Sequence, residues 1–296
     1  MANFTLRDLA SLLRVKQWVK NGFIFFPLIF SGRFFVKYLL TDSLLTFLGF
    51  CLVSSSLYVL NDFLDVARDR VHPKKANRPL TRFPVNGFFI IFLILLFQVL
   101  GLSICKKVND FVLFMAIFYI LIHLIYNFYT KKVVILDVIF VALGFQLRIW
   151  AGSFAAQTFP SVWLQMCVFL LALFLGFTKR RYEIATLKDK AAEHRNVLAH
   201  YTSYLLDQII IICSTLAIVF YGLYTISPDI VNRIGNHMMV YSVVFVIYGI
   251  FRYLYLVHVR KLGDDPSEVL FADIPLLINI IFWILYVAFI LYLPRG

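Results

Sequence analysis

Stretches of about twenty apolar residues recur along this chain, separated by short charged segments. A helix needs about that length to cross the hydrocarbon core of a bilayer, and helices satisfy their own backbone hydrogen bonds there. Nine such spans are expected, at about 18–36, 42–60, 84–104, 110–128, 136–156, 161–178, 204–226, 237–257 and 270–293. The chain is 61% hydrophobic and only 15% charged, too apolar for a soluble domain to cover itself with polar surface. The expected class is therefore all-α: one polytopic integral-membrane domain over 1–296. No segment between spans is long enough for a soluble domain. The N-terminus is mixed and polar through Lys20, so no cleavable signal peptide is expected.

The net charge is +12. In a membrane chain this excess marks cytoplasmic loops rather than nucleic-acid binding. Twenty-one Lys and Arg fall on the side of the N-terminus and of the loops 61–83 and 179–203, against six on the other. That predicts a cytoplasmic N-terminus and a C-terminus on the opposite side. Cys51, Cys105, Cys167 and Cys213 are far apart and form no CxxC, so they read as packing residues.

Chemistry concentrates where the second span ends, at Asn61-Asp62-Phe63-Leu64-Asp65-Val66-Ala67-Arg68-Asp69. On a helix Asp62, Asp65 and Asp69 share one face. Asp62 and Asp69 would lie roughly 10 Å apart along the axis, a spacing that suits a pair of hard cations. Oxygen-only donors point to magnesium brought in with a phosphorylated substrate. A basic run follows at once, Arg70, His72, Lys74, Lys75 and Arg78, suited to phosphates. Positive-inside anchoring explains such bases one by one, but it does not explain the acids beside them.

Four further sets are candidates. Arg14, Gln17, Lys20 and Asn21 lie at the mouth of the first span, where Gln17 and Asn21 share a face and Trp18 reads as an interfacial anchor. Tyr126, either a belt tyrosine or a site residue, precedes Lys131 and Lys132. Arg148 sits deep in the fifth span, where a lone charge is costly unless paired or facing a wet cavity. Its partner is an anionic ligand or a bridge to another helix. Lys179-Arg180-Arg181-Tyr182-Glu183 closes the sixth span; Glu183 either completes a metal shell or pairs with a neighbouring base, and Asp189 and Glu193 are alternatives. There is no HExxH, GxSxG or Walker loop.

Asn61-Asp62-x-x-Asp65-x-x-x-Asp69 resembles the first aspartate-rich motif of the UbiA superfamily of intramembrane prenyltransferases. Further pieces resemble its decaprenyl-phosphate phosphoribosyltransferase branch. They are Arg14-Val-Lys-Gln17-Trp18-Val-Lys20-Asn21, Asp69-Arg70-Val-His72-Pro73-x-Lys75-x-x-Arg78-Pro79, Leu136-Asp137-Val138 with Gly144-Phe-x-Leu147-Arg148, and Lys179-Arg180-Arg181-x-Glu183. The second Asp-x-x-x-Asp motif usual near the sixth span is missing; only Glu183 or Asp189-x-x-x-Glu193 stands there.

The resemblance implies a magnesium-dependent transfer of 5-phosphoribose from phosphoribosyl diphosphate to a polyprenyl phosphate at the cytoplasmic face, supplying lipid-linked pentose donors for cell-envelope glycans. It implies Asn61, Asp62, Asp65 and Asp69 as magnesium ligands, with the three aspartates catalytic. Lys20, Arg70, His72, Lys75, Arg78 and Lys131 would take the phosphates of the soluble donor. Arg148, Lys179 and Arg180 would take phosphate of either substrate, and Gln17, Asn21, Tyr126 and Glu183 complete the expected substrate site. Partners are these two substrates and the bilayer, with no nucleic acid; a homo-oligomer is allowed. The competing readings are a prenyltransferase acting on an aromatic acceptor and a lipid or sugar-phosphate transporter without turnover.

Overall fold

The structure is a computed structural model that describes residues 5–70, 75–83, 86–187, 196–263 and 266–292. Among them every regular element is helical. Eight helices are long and apolar enough to cross a membrane. They are α1 (Lys37–Leu64), α2 (Gly87–Val108), α3 (Asp110–Phe128), α4 (Leu136–Ala155), α5 (Val162–Leu187), α6 (Ser203–Thr225), α7 (Val243–His258) and α8 (Ile274–Tyr292). Their starts follow from local chemistry. Asn86, Asn109 and Thr202 precede α2, α3 and α6, and each side chain accepts a hydrogen bond from a first-turn amide.

The first of the nine expected spans differs. Residues 18–36 do not form one long helix; the chain runs as a 3-10 helix, Val15–Phe25, and then a short α-helix, Phe26–Phe30. Pro27 has no amide to donate and Lys20 and Asn21 interrupt the apolar run, which weakens a continuous α-helix here. Asn21 is buried and uses its amide within the protein. The chain is an integral membrane protein by these helices. Their outer faces carry large apolar side chains such as Phe88, Phe92 and Phe289.

Two compact units divide the chain. The first comprises 1–28, 33–129 and 147–158, and the second 29–32, 130–146 and 159–296. In the first, α1 and α2 approach closely at Gly49 and Gly101. A Cβ on Gly101 would stand 2.8 Å from the Gly49 carbonyl oxygen, so only glycine allows this crossing. Phe50, Val53, Leu57, Val112, Ala116 and Tyr119 fill the core beside it. In the second unit, α5, α6 and α7 pack around Phe174, Phe177, Leu206, Ile210, Tyr253 and Leu256. Asp273 caps the start of α8 through the Leu276 amide and takes a two-pronged ion pair from Arg252 on α7, at 3.1 and 2.9 Å. All four cysteines are buried free thiols, in keeping with packing roles.

Candidate active site

The acidic stretch keeps helical phase past the end of α1. Asp65 closes α1, its amide donating to the Asn61 carbonyl at 3.0 Å. The Asp69 amide in turn donates to the Asp65 carbonyl at 2.9 Å, at the end of the short helix Val66–Asp69. Asp62 and Asp69 are buried, 4% and 3% exposed, while Asn61 and Asp65 are partly buried.

Two arginines hold the buried acids. Arg14 forks onto Asp62, with Nε donating to Oδ2 at 3.2 Å and Nη2 to Oδ1. Arg78 Nη1 lies 2.8 Å from Asp62 Oδ1 and 2.5 Å from Asp69 Oδ2. Two carboxylates from two turns thus converge on one point, where a cation stands, and not on the two well-separated points expected from the helical rise between Asp62 and Asp69; both side chains reach toward the same Arg78 nitrogen. Burial acts to lower the Arg14 pKa, but the charge and hydrogen bond of Asp62, together with Tyr58 and Asp69, outweigh it and the net shift is upward, so Arg14 stays charged. Its guanidinium also lies 5.1 Å from the centre of the Tyr58 ring. Among the described residues, no group of three or more His, Cys, Asp or Glu side chains is placed to hold a metal.

The other expected residues of this unit lie in different environments. Arg70 is exposed. Lys75 opens a short 3-10 turn, Lys75–Asn77, and His72 lies outside the described residues. Gln17 and Lys20 are partly buried, as is Tyr126 near the end of α3. Trp18 donates to Ser55 Oγ at 3.0 Å, which ties the 3-10 segment to α1.

Asn21 and Arg148 are brought together. Arg148 is 3% exposed; its Nε donates to Asn21 Oδ1 at 2.7 Å and its Nη2 to the Tyr119 hydroxyl at 2.6 Å. The Asn21 amide nitrogen also donates to Ser54 Oγ at 3.2 Å. Arg148 therefore bridges to other helical segments. Tyr119 carries no sequence signal beyond being an aromatic at helical spacing, which is why it escaped notice.

The second unit holds Lys131, Lys179, Arg180 and Glu183. Arg180 is buried between two acids: Nε donates to Asp137 Oδ2 at 2.6 Å and Nη1 to Glu183 Oε2 at 2.9 Å. Tyr201 completes the set, its hydroxyl donating to Asp137 Oδ1 at 2.8 Å while accepting from the Ile135 amide at 2.6 Å. Burial, then the Asp137 charge, pushes the Tyr201 pKa upward, so it remains a donor. Glu183 thus pairs with a neighbouring base, and Lys131 and Lys179 are partly buried. Asp189 and Glu193 lie outside the described residues. Asp137 as the partner of Arg180 was not predicted, since nothing local to either residue links them.

This network makes a prediction. Arg180→Met leaves two buried carboxylates without their shared cation, which costs about 3–5 kcal/mol. The thermal midpoint of the purified protein should fall sharply. A variant that keeps its midpoint but loses affinity for a phosphorylated substrate would make Arg180 a ligand-binding group instead.

Residues 25–274 match the model of the UbiA prenyltransferase family. The chain is 29% identical to a decaprenyl-phosphate phosphoribosyltransferase of Mycolicibacterium smegmatis, over 93% of this chain and 90% of that protein. It is 28% identical to the protein of that name in Corynebacterium glutamicum, over 95% and 86%. Among solved structures it is similar to a UbiA homologue from Archaeoglobus fulgidus bound to DMAPP and Mg2+, with a TM-score of 0.71 and 16% identity, covering 96% of this chain and 99% of that one. The matched region takes in seven of the eight long helices in full and the buried acids at the end of α1, and on that extent of agreement the chain belongs to the UbiA prenyltransferase family.

Proposed function

We propose that this chain transfers 5-phosphoribose from phosphoribosyl diphosphate to a polyprenyl phosphate and releases pyrophosphate. The observation that carries this reading is the match, over nine-tenths of the chain, to relatives named for that reaction. The polyprenyl phosphate oxygen forms a bond to the anomeric carbon of ribose. The bond from that carbon to the diphosphate oxygen breaks, and pyrophosphate leaves with the electron pair. No general base is required, because the attacking phosphate is already an anion.

The residues fit a divalent ion. Asp62 Oδ1 and Asp69 Oδ2 converge on one point, and magnesium is commonly held by one or two carboxylates together with substrate phosphates. When bound, magnesium supplies positive charge against the departing diphosphate. Asp62 and Asp69 would hold it, with Asp65 and Asn61 beside them. Arg78, Arg70, His72, Lys75 and Lys20 would orient the donor through its phosphates. Lys131 and Lys179 are proposed as further phosphate contacts of the second unit. Arg148, Asn21, Gln17 and Tyr126 are proposed to shape the polar floor of the first. The excess of Lys and Arg on one side of the spans supports an N-terminus and an acidic end that face the cytoplasm, and the organisms of the relatives support a bacterial inner membrane.

The test is direct. Purified protein in lipid vesicles, given labelled phosphoribosyl diphosphate, a polyprenyl phosphate and Mg2+, should move label into the lipid extract. Label should stay in water when the polyprenyl phosphate is omitted. If only a prenyl diphosphate with an aromatic acceptor is turned over, the chain is a prenyltransferase proper.

A further inference from the structure

Arg14 and Arg78 stand where incoming positive charge must go. Arg78 Nη1 sits between Asp62 Oδ1 and Asp69 Oδ2, at 2.8 and 2.5 Å, so that atom and a metal ion cannot occupy the site together. The burial is uneven. The carboxylate side chains are 4% and 5% exposed, whereas Arg14 and Arg78 are 22% and 25% exposed. The acids cannot turn to water, and without a cation their burial is costly; the arginines have a path outward. Both arginines also lie outside regular helix. Arg14 has φ 49 and ψ 47, a left-handed conformation costly for a side-chain-bearing residue, and Arg78 is extended ahead of Pro79. The charges balance too: two carboxylates meet two guanidiniums.

We propose that Arg14 and Arg78 are exchangeable counter-ions, neutralising Asp62 and Asp69 in the resting protein and passing to the diphosphate when those carboxylates take a divalent ion. This rests on the reading of Asp62 and Asp69 as metal ligands. Charge is conserved at each stage. The divalent ion replaces two guanidinium charges on the acids, and the two released guanidiniums meet the anionic donor. Metal alone then binds weakly, because its entry strands two arginines without anions. Metal with diphosphate binds strongly, because each partner supplies what the other displaces. Arg14 thereby becomes a donor-binding residue in its own right.

The test uses Mn2+ followed by electron paramagnetic resonance, and pyrophosphate followed by calorimetry, on the full chain in nanodiscs. Arg78→Gln should raise the affinity for Mn2+ alone by about tenfold and lower that for pyrophosphate with Mn2+ by at least about tenfold, the scale of a close charge pair. Arg14→Gln leaves Arg78 across both carboxylates and so tolerates their burial; it should move both affinities the same way by a smaller factor. Unchanged or weaker binding of Mn2+ alone in both variants, or in Arg14→Gln if the other does not fold, overturns the exchange. Neither measurement needs ribose or lipid, so the exchange can fail while phosphoribosyl transfer stands. Absence of Mn2+ binding to the wild type even with pyrophosphate would remove the metal reading itself.

Discussion

Asp62→Asn lowers phosphoribosyl transfer on the order of 100-fold or more, the scale of removing one preorganised charge from a site that stabilises a leaving group. Asp69→Asn does the same. The cause is local. Each variant removes the negative charge from one of the two side chains that converge on Arg78 Nη1, where the proposed ion would sit. Folding suffers less than activity, because Arg14 and Arg78 are partly exposed and can reach water once a carboxylate partner is gone. Label appearing in the lipid extract gives the activity, and thermal unfolding of the same preparations gives the stability. Chelation of the wild type should reproduce the loss, and added Mg2+ should restore it. Full turnover after exhaustive chelation would remove divalent ions from the reaction.

Gly152→Val should be the most damaging single substitution for folding of the first unit. An ideal Cβ at Gly152 would stand 2.0 Å from the Ile24 carbonyl oxygen and 2.9 Å from Ile24 Cα. The obstacle is backbone, so no side-chain rotation relieves it. Overpacking of this kind costs about 1–3 kcal/mol where neighbours can yield, and more where they cannot. The contact also positions polar groups. Gly152 is one helical turn beyond Arg148, and Ile24 is three residues beyond Asn21, so the close approach keeps Asn21 Oδ1 2.7 Å from Arg148 Nε. Pushing the 3-10 segment away should therefore loosen Arg148 as well. Gly222→Ala on α6 is the control: nothing lies within 4 Å of a Cβ there. That change should be neutral or stabilising by about 0.5–1 kcal/mol, from the lower helix propensity of glycine. Equal thermal midpoints for Gly152→Val and wild type would mean the two backbones are not in contact.

Much of the architecture was legible because the bilayer is a severe solvent. A run of twenty apolar residues has few alternatives to a helix, and eight expected spans appear as helices at nearly the expected places. The exception, 18–36, contains Pro27 and the buried Asn21, and its 3-10 form depends on neighbours such as Gly152 and Ser55 that lie far away in the chain.

The acids of the candidate site were legible for a similar reason. Asp62, Asp65 and Asp69 are close in sequence, and helical phase alone relates them. Their counter-ions were not. Arg14 is 48 residues from Asp62, and nothing local says that it, rather than one of the bases that follow Asp69, forks onto that carboxylate. Arg180 shows the same limit: its charge is plain, but Asp137 is 43 residues away, and only packing decides that the guanidinium is spent between Asp137 and Glu183. Periodicity, length and charge bias by themselves determined a polytopic helical membrane protein with an acidic cluster at the end of α1. Tertiary structure decided which cation answers which acid, because ion pairing depends on distances between side chains that no local spacing specifies.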